Sequence, residues 1–224
     1  MCETAVEYAP TYKIWWTFLS LENSFDGKDY VCGRMLQFLM KAPKTEENVD
    51  IWSFHLLEML LYRVHLSLFT GKYQNAIALF QNALKSESDK IIVQHLTVSD
   101  RCLVWLSYIH LIEFGGLPVK FYDPANSNPT KLMKKESFLI PWKTMEDVKA
   151  NPDTLLALFE DAIQSCTSED ASTEKRIVCL PLYRNMIILQ QLLERFVEKL
   201  LYSRTSCFYP NITYIRRLKR VLLY

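Results

Sequence analysis

The chain has 224 residues, 26.3 kDa, with 50% hydrophobic and 13% aromatic side chains, too apolar for a disordered chain and long enough for one or two compact cores. Its 26 basic and 25 acidic side chains leave a net charge of +1, which argues against a dedicated DNA binder. Only five glycines disfavour Gly-rich nucleotide folds and all-β folds built on tight turns, so helix is the expected class. The charge is uneven: residues 1–114 carry 10 basic and 13 acidic groups, residues 115–224 carry 16 and 12. No signal peptide opens the chain, and Glu58 and Arg63 interrupt the longest apolar stretch, so neither export nor a membrane span is expected. The six cysteines lack CxxC pairs and stand apart from the four histidines. They read as reduced, buried thiols rather than zinc ligands.

In chain order, Ile14, Trp15, Phe18, Leu19, Leu21 and Phe25 form a first helical stripe, and Tyr30, Met35, Leu36, Phe38 and Leu39 a second. One of Trp15 and Trp16 is expected to face away from the buried side, towards a further repeat or a partner peptide. Tyr8, Tyr12 and Tyr30, with that pair, invite an RNA-stacking reading, but their helical spacing favours the core. Trp52 to Phe69 is one long helix, and after Thr70-Gly71-Lys72 another runs from Tyr73 to Leu84, making an αα-hairpin. Asp100 suits the N-cap of a helix through Trp105 that ends at Gly115-Gly116. Five prolines within residues 118–152 require mostly irregular backbone there. Asn151-Pro152-Asp153 starts a helix to Cys166, and Leu180 to Leu201 is a last long helix with Pro181 in its first turn.

An internal repeat dominates this pattern. Ala78-Leu-Phe-Gln-Asn-Ala-Leu84 matches Ala157-Leu-Phe-Glu-Asp-Ala-Ile163, identically or conservatively, at an offset of 79 residues. That is close to twice a unit of about 40, the size of α-solenoid repeats. Gly71-x-Tyr73-x2-Ala76-x3-Phe80-x2-Ala83 resembles the second half of a tetratricopeptide (TPR) repeat. Trp15-x2-Phe18-x3-Glu22 resembles the first helix of a half-a-TPR (HAT) repeat, Trp105-x2-Tyr108 with Glu113 resembles it too, and Phe159 with Ala162 resembles the matching second helix. These thirteen positions are expected to be structural. The fold class is therefore all-α, an α-solenoid of two-helix HAT/TPR-like repeats. Repeats occupy 1–114, a Pro-rich insertion 115–152, a repeat continuation 153–197, and an atypical basic tail 198–224.

Longer strings carry a more specific resemblance. Glu7-Tyr-Ala-Pro-Thr-Tyr-Lys13, Lys28-Asp-Tyr-Val-Cys32, Ser99-Asp-Arg-Cys-Leu103, Tyr108-Ile-His-Leu-Ile-Glu-Phe114, Lys120-Phe-Tyr-Asp-Pro124 and Leu192-Leu-Glu-Arg195 are among them. Over residues 5–197 the chain resembles the start of the C-terminal repeat region in a family of large nuclear scaffolds with a CCCH zinc finger. The resemblance implies a nuclear adaptor that links polyadenylated RNA to the RNA exosome. Its implied partners are an exosome-associated RNA helicase and a nuclear poly(A)-binding protein. The resemblance stops after Phe196.

Two segments invite a partner or RNA reading. Residues 115–150 hold Phe121, Tyr122, Phe138, Ile140 and Trp142 among lysines that include Lys134 and Lys135. Exposed, Tyr122, Trp142, Lys134 and Lys135 would contact a partner. Docked as a strap, which is favoured, the five apolar side chains would each gain roughly 1.5–3 kcal/mol. Arg216, Arg217 and Arg220 form a basic run suited to RNA phosphate or nuclear import, weighed against a solvated tail without function. No GxSxG, P-loop, HExxH or Cys/His nucleophile pattern occurs, so no catalysis, cofactor or metal is expected. Glu22, Glu58 and Glu113 are expected to form ion pairs or caps. The expected function is a protein-interaction scaffold. Direct RNA binding through the basic second half, or self-association as a homodimer, are the alternatives.

Overall fold

The computed structural model describes residues 2–41, 49–85, 92–117, 140–167 and 177–204. It is all-α, with no strand among the described residues. The helices are α1 (Cys2–Tyr8), α2 (Tyr12–Leu21), α3 (Phe25–Lys41), α4 (Val49–Phe69), α5 (Tyr73–Lys85), α6 (Val98–Phe114), α7 (Pro152–Thr167) and α8 (Leu180–Arg204). Short 3-10 turns at Ile92–His95 and Met145–Asp147 precede α6 and α7.

Packing follows chain order. Helix α2 lies on α3, α3 on α4, α4 on α5, α5 on α6, α6 on α7 and α7 on α8. One apolar core threads these contacts from Val6 to Leu192. Helices α5 and α7 bury the same register: Ala76, Phe80 and Ala83 in the first, Leu155, Phe159 and Ala162 in the second. The residues lie 79 apart, pair by pair, and the two phenylalanines are among the largest fully buried side chains.

Local chemistry sets the helix ends. Thr11 caps α2 by accepting from the Ile14 N–H at 3.3 Å. The apolar stripe read from Ile14 through Phe25 is broken here, because Glu22-Asn23-Ser24 ends α2 and Phe25 opens α3. The Glu22 Oε1 accepts from the backbone N–H of Asn23 and of Ser24, and Ser24 Oγ in turn accepts from the Gly27 N–H. Gly71 and Gly115 end α4 and α6 with φ of +71°, where a side chain would be strained.

Asp100 is not the N-cap of α6. Thr97 is, accepting from the Asp100 N–H at 3.3 Å, and Asp100 lies in the first turn. Ser53 of α4 completes the cap: its hydroxyl donates to Asp100 and accepts from the Thr97 N–H. Burial lifts the Asp100 carboxyl above the ordinary carboxylate range, against the lowering pull of the Ser53 and Thr97 hydroxyls.

Of the insertion, residues 115–117 and 140–151 are described and are irregular apart from the turn at Met145–Asp147. Tyr122, Lys134 and Lys135 lie outside the described residues, as do Arg216, Arg217 and Arg220. Helix α8 ends at Arg204, three residues beyond the expected Leu201. No helix among the described residues is long and apolar enough to cross a membrane.

Candidate functional site

Of the thirteen signature positions, Trp15, Ala76, Phe80, Ala83, Trp105, Tyr108, Glu113, Phe159 and Ala162 are buried, whereas Glu22 and Gly71 sit at helix ends. Trp15 is buried against Phe18 and Phe38, with ring centroids 6.3 and 6.1 Å away. Its neighbour Trp16 does not wait for a missing repeat: it packs edge-on against Tyr12 and, across on α4, Tyr62. The Tyr73 hydroxyl donates to the Leu111 carbonyl at 3.0 Å. Phe80 meets Tyr108 at 5.4 Å, and Trp105 and Tyr108 are both buried on α6. These contacts join α5 to α6, as Phe159 and Ala162 help bury α7.

The tyrosines raised as stacking platforms differ. Tyr8 and Tyr30 are exposed, with the Arg34 guanidinium 5.8 Å above the Tyr30 ring. Tyr12 instead stacks on His55 at 3.4 Å and donates to Glu58. Burial, then the Glu58 charge, pushes its phenol well above the ordinary value.

Glu113 organises the described end of the insertion. Its carboxylate is buried near the end of α6. Oε1 accepts from Trp142 Nε1 at 2.8 Å and from the Lys149 N–H at 2.9 Å, and Oε2 accepts from the Ala150 N–H at 2.9 Å. Thus one side chain of α6 holds the segment that leads into α7. At the other end of that segment the buried Asn185 Oδ1 accepts from the Ile140 N–H at 3.0 Å. Trp142 follows the favoured strap reading, not the exposed partner or RNA contact: it is 7% exposed, with its ring in the core and its indole N–H on Glu113. The Glu113–Trp142 pairing spans 29 residues across the insertion, and no spacing rule in the sequence links the two.

Three of the cysteines, Cys102, Cys166 and Cys179, come together in the core between α6, α7 and the start of α8. Hydrogen bonding to Cys179 and burial hold the Cys102 and Cys166 thiols protonated. Among the described residues no group of histidine, cysteine, aspartate or glutamate could hold a metal ion.

One feature near the end of α8 was not legible in the sequence. A cleft of about 360 Å³ opens between Lys143–Glu146 and the Leu192–Leu200 stretch of α8. The buried stripe of α8, Leu182, Asn185, Leu189 and Leu192, continues at helical spacing into Phe196 and Leu200, which are 43% and 41% exposed. Met145 and these two residues give the cleft an apolar lining, and Lys143, Arg195 and Lys199 stand around it with Glu146. The three-to-four-residue spacing of that stripe was legible. That its cover by α7 and the segment around Met145–Asp147 stops after Leu192 was not, because no spacing in the sequence marks where those partners end.

No family model matches the chain, and no solved structure matches it. Among curated proteins, the human zinc finger C3H1 domain-containing protein is 61% identical over 197 residues, 88% of this chain. The chain spans 10% of that relative's length. At that identity, over nearly all of its own length, the chain is similar to one stretch of a much longer zinc finger C3H1 domain-containing protein.

Proposed function

We propose that the chain is a stretch of a helical-repeat protein-interaction scaffold, built from HAT/TPR-like two-helix units in solenoid order. The observation that carries this reading is the shared burial register of α5 and α7, 79 residues apart, in helices that pack mainly on their chain neighbours. Such stacking lets each unit bury its apolar face on the next and leaves long grooves for partner peptides or helices. The role is binding, not catalysis. The similarity to a zinc finger C3H1 domain-containing protein, and the resemblance carried by the strings from Glu7 to Arg195, support a nuclear adaptor. That adaptor connects polyadenylated RNA with the exosome through an associated helicase and a poly(A)-binding protein.

A pull-down from nuclear extract, with and without nuclease, tests the reading. The proposal expects the exosome-linked helicase or the poly(A)-binding protein to stay bound after nuclease. Loss of both would leave direct RNA binding as the better reading, with affinity falling steeply as salt rises.

A further inference from the structure

We propose that the cleft at the end of the α8 stripe seats an amphipathic helix with acidic flanks from a partner protein. The inference rests on the scaffold reading and names the partner's chemistry at one site. A helix normally hides the whole of its apolar stripe. Here Leu182 to Leu192 is hidden, and Phe196 and Leu200 prolong the same stripe into solvent. The cleft over them, about 360 Å³, falls in the range of formed ligand clefts, roughly 300–1,000 Å³. Its lining along Leu192, Phe196 and Leu200 of α8 suits anchoring side chains spaced as on a second helix.

Charge selects the occupant. Lys143, Arg195 and Lys199 face the cleft against the single acid Glu146, while Glu194 and Glu198 of α8 do not line it. The chain's own remaining apolar segments carry the wrong sign. Residues 118–139 hold four lysines against one aspartate and one glutamate, and residues 205–224 hold four basic side chains and no acid. Either would bring like charge to the three cations. The apolar lining also disfavours a phosphate backbone, which gains nothing from Phe196 and Leu200 and would leave them wet. An acidic flank pairs with Lys143, Arg195 and Lys199 and sets orientation, while leucine-type anchors cover the stripe.

The test uses the full chain and a fluorescein-labelled helical peptide with leucines at i, i+3, i+4 and i+7 between glutamates. A second probe is the same peptide with every glutamate replaced by lysine. The glutamate peptide is expected to bind saturably in fluorescence anisotropy and to bind far better than the lysine peptide. Lys143→Glu/Arg195→Glu/Lys199→Glu is expected to weaken the glutamate peptide about tenfold or more and to reverse the preference. Phe196→Asp is expected to abolish binding of both peptides. All four positions are exposed, so circular dichroism of the variants is expected to match the parent chain.

No binding, equal binding of both peptides, or binding indifferent to these substitutions overturns the proposal. So does displacement of the peptide by a single-stranded oligonucleotide, or a molar mass in light scattering that halves with Phe196→Asp, which would seat a second copy there. If the cleft fails while nuclease-resistant partners persist in the pull-down, the scaffold reading stands without this site. If those partners vanish with nuclease, the scaffold reading itself fails, whatever the peptides do.

Discussion

Glu113 is a buried carboxylate whose partners are three N–H donors: the Trp142 indole and the backbones of Lys149 and Ala150. Removing it would strand the buried Trp142 indole N–H, at about 1–3 kcal/mol, and unpair the part-buried backbone N–H groups of Lys149 and Ala150. Glu113→Ala is therefore expected to lower unfolding free energy in urea by about 3 kcal/mol, and Trp142→Tyr by less. The double variant should cost less than the sum of the two, since both act through one network. A loss under about 0.5 kcal/mol for Glu113→Ala would mean the network does not hold the segment.

Two exposed carboxylates give a pH signature. The Ser24 backbone N–H holds Glu22, and the Lys143 backbone N–H holds Asp147, below their ordinary values of 4.5 and 3.8. A lowered folded value means the fold favours the ionised group. The contribution is complete above the ordinary value and is lost as pH falls through the folded one. The melting gap between the parent chain and Asp147→Asn should therefore stay constant above the ordinary value of 3.8 and shrink as pH falls below it. A gap that is constant with pH would contradict this. Single residues were the least legible part of the sequence. Thr97, Ser99 and Asp100 are all capping types within one turn, and it takes Ser53 of another helix to make Thr97 the cap.

Helices were far more legible, because apolar spacing reports which face is buried. Trp52–Phe69, Tyr73–Leu84 and the helix closing at Gly115 read almost to their ends, where Gly71 and Gly115 supply the left-handed turn. The α2–α3 break falls before Phe25 rather than between Phe25 and Tyr30 as the stripes suggest, and no glycine or proline marks it there. It depends instead on the Glu22 side chain folding back onto the Asn23 and Ser24 N–H groups. The 79-residue match predicts equivalent energetics for equivalent positions. Phe80→Ala and Phe159→Ala should each cost about 3–5 kcal/mol, with half-buried Phe18→Ala costing clearly less. Urea melts would show this, and a small loss at either buried phenylalanine would contradict the shared register.

In the molecule as a whole, neighbour-on-neighbour packing leaves apolar side chains exposed along α8: Leu180 and Ile187 on one side, Phe196 and Leu200 towards the cleft. Helical class was readable from the sequence. The cleft was not, since no spacing in the sequence marks where α7 and the segment around Met145–Asp147 stop covering α8. The most direct measurement mixes the purified chain with a purified exosome-associated helicase and a purified nuclear poly(A)-binding protein, without RNA, and follows complex formation by light scattering. A complex with either protein that resists added nuclease and moderate salt is the expected result. Association that appears only when RNA is added would contradict a protein-interaction scaffold.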